Sequence, residues 1–131
     1  MVTVDKLSRT PIYEQLVEGV EREVLLGLLP EEAQLPSLRE LSTRLDLNPN
    51  TIQKAYLELE HRGVVRAAPG RGCFVLPGAQ ETIRRRLSEG LSELSALALS
   101  LRMAGLPEET LHDAIRTVYE THSAKNGGTP E

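Results

Sequence analysis

The stretch LPSLRELSTRLDLNPNTIQKAYLELEHRG, residues 35–63, decides the fold of this chain. It opens with a capping box, in which the Ser37 hydroxyl can accept from the amide three residues on and Glu40 can reach back to the Ser37 amide. A second helix start follows, with Asn48 as the N-cap and Pro49 at the first helical position. Two helices joined by so short a turn are typical of a helix-turn-helix.

The helix that begins at Pro49 has two faces. Its inward face is predicted from apolar residues at helical spacing, which are Ile52, Ala55, Tyr56 and Leu59. Short polar or basic side chains lie on or beside the opposite face at its start, namely Asn50, Thr51, Gln53 and Lys54. Such amides can pair with an adenine edge, threonine can touch a thymine methyl or a phosphate, and lysine can reach guanine or phosphate. These four residues are therefore candidates for contacting DNA.

The segment after this helix predicts a β-hairpin. Two β-prone runs, VVRA and CFVL, flank the turn PGRG, in which proline followed by glycine is typical of a type II turn. Arg71 lies at the tip between Gly70 and Gly72, which let the backbone approach a ligand closely. A narrow A·T-rich minor groove is strongly negative and takes an arginine readily. Arg71 is therefore a candidate for a contact in a different groove.

A first helix is predicted upstream. Thr10 and Pro11 predict its start, as a hydroxyl N-cap and a proline at the first helical position, and Gly27 predicts its end. Arg39, early in the second helix, is placed to contact a phosphate. Helix, helix, helix and hairpin is the order of a winged helix, so the predicted fold class is mainly α with a small β-hairpin.

The character of the chain changes at about Ala79, where an apolar stripe predicts one long helix. Gly105-Leu106-Pro107 ends that helix, and a second apolar stripe follows. Two stripes on a lone helical hairpin cannot both be covered by so few residues, so we expect a second copy of the chain to bury the remainder. The alternative is that the stripes pack within one chain. The predicted dimer contacts are Ile83, Leu87, Leu91, Leu94, Leu101, Leu111, Ile115 and Val118.

The predicted organisation is a winged helix-turn-helix domain over residues 1–77 and a helical dimerisation region over 78–131, with a disordered tail from residue 124. The formal net charge of the 131 residues is −4, which argues mildly against a nucleic-acid partner. Residues 36–77 nevertheless carry six basic against four acidic side chains, a local charge of +2. Local sign matters more than the total for a surface that contacts DNA.

Other totals restrict the class of protein. The single cysteine, Cys73, excludes a disulfide framework within one chain and a cysteine-rich zinc site, and fits a reducing cytosol. The start of the chain lacks the order of a signal peptide, and no apolar run approaches the ~18 residues of a membrane helix. We therefore expect a cytoplasmic protein with no membrane contact. We find no nucleophile elbow, phosphate loop or metal cluster, so we expect neither an enzyme nor a cofactor.

Residues 11–75 resemble the DNA-binding domain of the GntR family of bacterial transcription regulators, through PIYEQL, LPSLREL, LNPNTIQKAYLELEHRG and GRGCFV. The short C-terminus resembles the YtrA-like branch, whose two-helix extension mediates dimerisation. The resemblance implies a homodimer that binds a double-stranded inverted-repeat operator, usually as a repressor. It also implies DNA contacts at Ser37, Arg39, Asn50, Thr51, Gln53, Lys54, Gly70, Arg71 and Gly72.

The chain departs from the family pattern at three points. Glu31-Glu32 occupies a turn that is commonly Pro-Gly, Leu38 stands where an acidic residue is frequent, and Cys73 replaces a threonine or serine of the wing.

A small-molecule effector of unknown identity would need a pocket between protomers or domains, because the C-terminal extension is so small.

Several alternatives stay open at this point. The winged helix could contact a protein, with the polar face of the third helix in solvent. The run Arg84-Arg85-Arg86 is either a solvated charge cluster or lies near backbone phosphates. Cys73 is either a small strand residue or a redox sensor, which would need exposure and a lowered pKa.

Overall fold

The computed structural model describes residues 2–125, which are mainly helical with one small β-hairpin, as predicted. The elements in chain order are α1 (Ile12–Leu25), α2 (Leu38–Leu45), α3 (Pro49–His61), β1 (Val65–Ala68), β2 (Gly72–Val75), α4 (Ala79–Ser88), α5 (Leu91–Met103) and α6 (Glu108–Lys125). The predicted disordered tail begins at residue 124, but α6 continues to Lys125. Residues 126–131 lie outside the described residues, so the prediction is not tested there.

The chain forms two compact units, the first unit through Leu87 and the second unit from Ser88. The predicted boundary at residue 77 differs, because α4 belongs to the first unit. The core of the first unit is aliphatic, and its largest fully buried side chains are Leu16, Val17, Val24, Ile52, Leu59, Val64, Val65, Val75 and Ile83. Burial of these side chains from α1, α3, the hairpin and α4 is the main stabilising contribution to the first unit.

The start of α1 differs from the prediction. The helix begins at Ile12, and its N-cap is Pro11, with φ −54° and ψ 146°, while the Thr10 hydroxyl makes no capping hydrogen bond. Within α1, the Gln15 amide donates to the Pro11 carbonyl at 3.1 Å. The Gln15 side chain meanwhile donates to the Thr10 carbonyl at 2.9 Å. The first intrahelical bond thus falls one residue later than predicted.

The predicted starts of α2 and α3 are confirmed. Ser37 Oγ accepts from the Glu40 amide at 3.0 Å, and Glu40 Oε1 accepts from the Ser37 amide at 2.9 Å. Asn48 Oδ1 accepts from the Asn50 amide at 2.8 Å, with Pro49 in the first turn. The Tyr56 hydroxyl of α3 donates to the carbonyl of the residue before Ser37 at 2.8 Å. This bond fixes the start of α2 against α3.

The hairpin has the predicted type II turn, since the Arg71 amide donates to the Ala68 carbonyl at 2.8 Å and Gly70 has a φ of +75°. β1 and β2 are antiparallel, in a register that pairs Val65 with Val75 and Ala67 with Cys73. The segment before α2 lies along the other edge of β2, where Gln34 pairs with Phe74. The wing is therefore held from both sides of β2.

The single long helix predicted from Ala79 is two helices, with the chain interrupted at Glu89 and Gly90. Glycine has a low helix propensity and marks the break. Ile83 of α4 is fully buried in the core of the first unit, so its assignment to the dimer contacts is wrong. Leu87, one turn later, is exposed.

The second unit contains α5 and α6. No residue of α5, which is described in full, is buried. Its exposed leucines include Leu91 and Leu94 from the predicted stripe and also Leu97 and Leu99, which the stripe omitted. α5 is therefore apolar around much of its circumference. Over residues 2–125, we find no helix with the length and apolar character needed to cross a membrane.

Candidate nucleic-acid interface

Three elements meet around one cleft of about 420 Å³, which we call the wing cleft. It lies between the start of α2, the exposed side of α3 and the tip of the hairpin. Its polar lining includes five of the predicted DNA contacts, which are Ser37, Gln53, Gly70, Arg71 and Gly72. Its apolar lining includes Leu35, Leu38, Tyr56, Leu57 and Cys73. Tertiary folding thus brings together residues that lie up to 39 positions apart in the chain (34 to 73).

The start of α2 presents Ser37 and Arg39, both exposed. The Ser37 oxygen accepts from the Glu40 amide, and its one hydroxyl proton can be donated either to the Glu40 carboxylate or to a phosphate oxygen. The backbone and side-chain hydrogen bonds from Ser37 lower the pKa of Glu40. The positive end of the α2 dipole adds to the attraction for an anion.

The start of α3 presents Asn50, Gln53 and Lys54 to solvent, with Thr51 half-buried. Lys54 has a partner that the sequence did not predict. Its Nζ lies 4.0 Å from the centre of the Tyr13 ring of α1. A cation over an aromatic face is attracted by the ring quadrupole. Lys54 is therefore held toward α1, while Gln53 lines the wing cleft.

The wing tip depends on Gln34, which no sequence signal marks as functional. Gln34 Nε2 donates to the Arg71 carbonyl at 2.9 Å. A Cβ on Gly72 would stand 2.5 Å from Gln34 Nε2, and the φ of Gly72 is +116°. Gly72 thus permits the close approach of Gln34, and Gln34 positions the exposed Arg71.

The turn at Glu31-Glu32 adopts the shape that a Pro-Gly pair would favour. The Ala33 amide donates to the Pro30 carbonyl at 3.0 Å, and Glu32 has a φ of +67°. Glu32 Oε1 also lies 3.4 Å from Arg66 Nη2 of β1. The departure from the family pattern is therefore accommodated by a left-handed glutamate.

Cys73 is a buried strand residue opposite Ala67. Burial raises the pKa of its thiol, and the nearby Glu60 carboxylate adds to the increase. Both the burial and the raised pKa oppose thiolate formation, so they favour the structural interpretation over the redox sensor.

The arginine run does not behave as one solvated cluster. Arg84 is exposed, but Arg86 Nη2 lies 2.6 Å from Oε2 of the buried Glu21. Arg86 is therefore paired with a buried carboxylate of the first unit.

Among the described residues, no group of three or more His, Cys, Asp or Glu side chains could hold a metal ion.

Known proteins with similar sequences are bacterial regulatory proteins. Residues 12–75 match the family described as bacterial regulatory proteins, gntR family. The HTH-type transcriptional repressor YtrA of Bacillus subtilis is 35% identical over 119 residues, which cover 90% of this chain and 92% of YtrA. The similarity therefore extends through the second unit as well as the winged helix.

Two solved structures are similar in fold. A transcriptional antiterminator from Listeria monocytogenes EGD-e has a TM-score of 0.74 at 32% identity, covering 91% of this chain and 90% of that chain. The DNA-binding domain of AraR, solved in complex with operator ORX1, has a TM-score of 0.51 at 27% identity, covering 55% of this chain and 89% of that chain. These similarities confirm the prediction of a DNA-binding regulator and not an enzyme. The chain belongs to the GntR family of bacterial transcription regulators, in its small YtrA-like branch.

Proposed function

We propose that the protein is a homodimeric repressor that binds an inverted-repeat operator, with α3 in the major groove and the wing in the adjacent minor groove. The observation that carries this proposal is the wing cleft, where α2, α3 and the hairpin present predicted DNA contacts on one surface. Repression is supported by the name of a relative, the repressor YtrA.

The chemistry of the surface fits duplex DNA. Gln53 is exposed on α3 and can pair two-pronged with an adenine edge. Ser37 and Arg39 at the start of α2 suit phosphate oxygens, which position a protein on the duplex without reading sequence. Arg71 at the wing tip suits a narrow, negative minor groove. In this proposal α3 contacts bases, the start of α2 contacts phosphates, and the wing tip enters the minor groove.

The dimer is supported by the apolar surface of the second unit. Contiguous exposed apolar surface is uncommon on monomers and marks interaction sites. The proposed contacts are Leu91, Leu94, Leu101, Leu111, Ile115 and Val118 of the second unit, together with Leu87 at the end of the first unit; Leu101 and Leu111 are half-buried and the rest are exposed. A second copy would cover this surface. Inverted half-sites one helical turn apart require the two α3 helices of the bound dimer to lie roughly 34 Å apart, or somewhat more.

A groove of about 590 Å³ also lies within the second unit, between α5 and α6. Leu99, Leu106 and Leu111 line it, with Arg102 and Glu108 at its polar positions. We assign this groove to the surface that the second copy covers. A small-molecule effector stays a prediction.

The experiment is to recover an operator by selection from a random duplex pool and to measure its affinity over a range of salt concentrations. We expect the logarithm of the binding constant to fall linearly and steeply with the logarithm of salt, because phosphate contacts release counterions. Sedimentation of the complex should give two protomers per operator. Absent or salt-insensitive binding would favour the alternative, in which the winged helix contacts a protein.

A further inference from the structure

Lys54 follows Gln53 directly on α3, but the two side chains lie on different sides of the helix. Successive residues of an α-helix are ~100° apart around its axis. Gln53 lines the wing cleft. Lys54 Nζ instead lies 4.0 Å from the centre of the Tyr13 ring of α1. Both helices belong to the first unit, so this contact forms within one compact body.

The Lys54 ammonium keeps its charge available in this position. Lys54 is exposed, and it forms no salt bridge with another of the residues that the structure describes. A cation over an aromatic face is attracted by the ring quadrupole and remains charged. The ring covers one side of the ammonium, which has three N–H donors, so donors remain for an anion. Tyr13 itself is half-buried and packs against the core, which makes it a fixed support.

The ligand that suits this arrangement is a phosphate oxygen of duplex DNA. A lysine ammonium is a compact point charge, without the two-pronged geometry by which an amide identifies an adenine edge. Because it is held against α1, Lys54 lies toward the flank of α3. When the start of α3 enters a major groove, the flank of the helix approaches the sugar–phosphate strand, and its front approaches the base edges.

We propose that Lys54 binds a backbone phosphate of the operator and reads no base, and that Tyr13 is the positioning residue that holds Lys54 for this contact. Tyr13 orders the long lysine side chain before binding, which reduces the conformational freedom that is lost on the DNA. Base reading on α3 is thereby assigned to the side that carries Gln53. This inference rests on the proposed function as an operator-binding regulator.

The test compares four variants with the wild type, namely Lys54→Gln, Tyr13→Leu, Tyr13→Phe and the double variant Tyr13→Leu/Lys54→Gln. Tyr13→Phe is the matched control for the ring, because it removes only the hydroxyl, which lies 3.5 Å from a Glu14 oxygen. Arg22→Gln is the control for charge, because it removes a positive charge from an exposed position in the last turn of α1. Thermal unfolding of each variant reports folding separately, and Tyr13→Met replaces Tyr13→Leu if the latter does not fold.

Three series of duplexes separate the contributions. Each protein is titrated against the selected operator over a range of salt concentrations, and against operators with single base-pair changes. The third series replaces one phosphate at a time with a neutral methylphosphonate, which removes the charge of that linkage and leaves the bases unchanged.

We expect Lys54→Gln to weaken binding by ~5-fold or more for each half-site and to reduce the salt slope by about one for each half-site, because one phosphate contact is lost. The loss should be equal on the operator and on every base-pair variant. At one linkage of each half-site, the methylphosphonate should weaken the wild type and change the affinity of Lys54→Gln by no more than about twofold. Arg22→Gln should bind as the wild type does.

Tyr13→Leu should weaken binding by ~2–10-fold for each half-site without a change in base preference, because the freed lysine must be ordered on the DNA. Tyr13→Phe should stay within about twofold of the wild type, since the aromatic face remains. The double variant should bind within about twofold of Lys54→Gln, because the group that Tyr13 positions is already absent.

A loss for Lys54→Gln that depends on the identity of one base pair, or the lack of any linkage where the methylphosphonate effect needs Lys54, would overturn the phosphate assignment. Wild-type binding by a folded Tyr13→Leu, an equal loss for Tyr13→Phe, or a further loss in the double variant would overturn the positioning role. These outcomes leave the proposed function intact. A wild type that selects no operator, or whose binding is insensitive to salt, would overturn the proposed function and this inference together.

Discussion

Gln53 is the residue of α3 best placed to read a base, because it is exposed and lines the wing cleft with Arg71. We expect Gln53→Ala to weaken operator binding by about 1–3 kcal/mol and to relax the preference at one base pair, since a two-pronged amide contact is lost. Titration against operators with single base-pair changes measures both effects.

The matched control for Gln53 is His61→Ala, which changes an exposed residue of the same helix outside the wing cleft. It should leave the affinity and the preference unchanged. An equal loss for Gln53→Ala on every operator variant would contradict base reading and would assign Gln53 to the DNA backbone.

Glu32 has a backbone conformation that is unfavourable for residues other than glycine. Its φ of +67° lies in the left-handed region, which costs a non-glycine residue roughly 1–2 kcal/mol. We expect Glu32→Gly to raise the free energy of unfolding by about 0.5–1 kcal/mol, because the exposed pair with Arg66 contributes little. Urea unfolding measures the change.

Glu32→Ala separates the two effects at this turn. It keeps the left-handed strain and removes the pair with Arg66, so it should be slightly less stable than wild type. If Glu32→Gly were no more stable than Glu32→Ala, the backbone would not be the source of strain.

At the scale of elements, the start of α2 should make the stability of the first unit depend on pH. Hydrogen bonds from Ser37 lower the pKa of Glu40 below its ordinary value of 4.5. A carboxyl whose pKa is lower in the folded state stabilises the fold above the ordinary value, and that stabilisation is lost as pH falls through the lowered pKa. Glu40→Gln removes the titration but keeps an acceptor for the capping box.

We therefore expect the wild type to be more stable than Glu40→Gln at pH 7, with a gap that closes as the pH falls below 4.5. Denaturant unfolding of both proteins over a pH series measures the gap. A gap that stays constant through the acid range would show that ionisation of Glu40 does not stabilise the capping box.

The wing is the element with the strictest backbone requirement. We expect Gly72→Ala to lower the free energy of unfolding by about 1–3 kcal/mol, because its φ of +116° is open almost only to glycine. Operator affinity should fall as well, since Gln34 would be displaced from the Arg71 carbonyl. Calorimetry and operator titration check the two results.

The double variant Gln34→Ala/Gly72→Ala distinguishes backbone strain from steric clash. The clash at 2.5 Å is with the far end of a flexible side chain, so we expect strain to dominate and the double variant to stay destabilised. Recovery of wild-type stability in the double variant would assign the cost to the clash instead.

At the scale of the whole molecule, the second unit should control the oligomeric state. We expect Leu94→Asp to give monomers, because a charge would be buried without a partner in the proposed interface. Operator affinity should then fall far more than affinity for a single half-site, since the second protomer no longer binds as part of one molecule. Sedimentation equilibrium and titration of both duplexes measure these effects.

Ser100→Asp is the matched control, because it adds the same charge to an exposed position of α5 on the side opposite Leu91 and outside the groove. It should remain dimeric. Intact dimers of Leu94→Asp would refute the proposed interface.

Much of the winged helix could be predicted from the sequence because the signals there are local. The Ser37–Glu40 capping box, the Asn48 cap and the Pro-Gly turn each act within about four residues, so their hydrogen bonds need no distant partner. The predicted start of α1 is one residue too early. The Gln15 side chain donates to the Thr10 carbonyl, which would accept the first intrahelical hydrogen bond if Thr10 were the N-cap.

The predictions that failed or were missing concern residues whose partners are distant in the chain. Ile83 continues the helical spacing of the dimer stripe, yet it is buried in the first unit. Arg86 belongs to a run of three arginines, yet it pairs with a carboxylate 65 residues earlier. Gln34 and Tyr13 have no local signature, and their roles appear only against Arg71 and Lys54.

The amino-acid sequence determined the element types, the helix starts of α2 and α3, the wing turn and the family, because caps, turns and apolar periodicity are short-range properties of the chain. Only the tertiary structure decided which apolar residues face the core of the first unit and which face outward, and which charges are paired in the interior. These outcomes depend on packing and desolvation between distant segments, and periodicity places a residue on a face of a helix without stating what that face contacts.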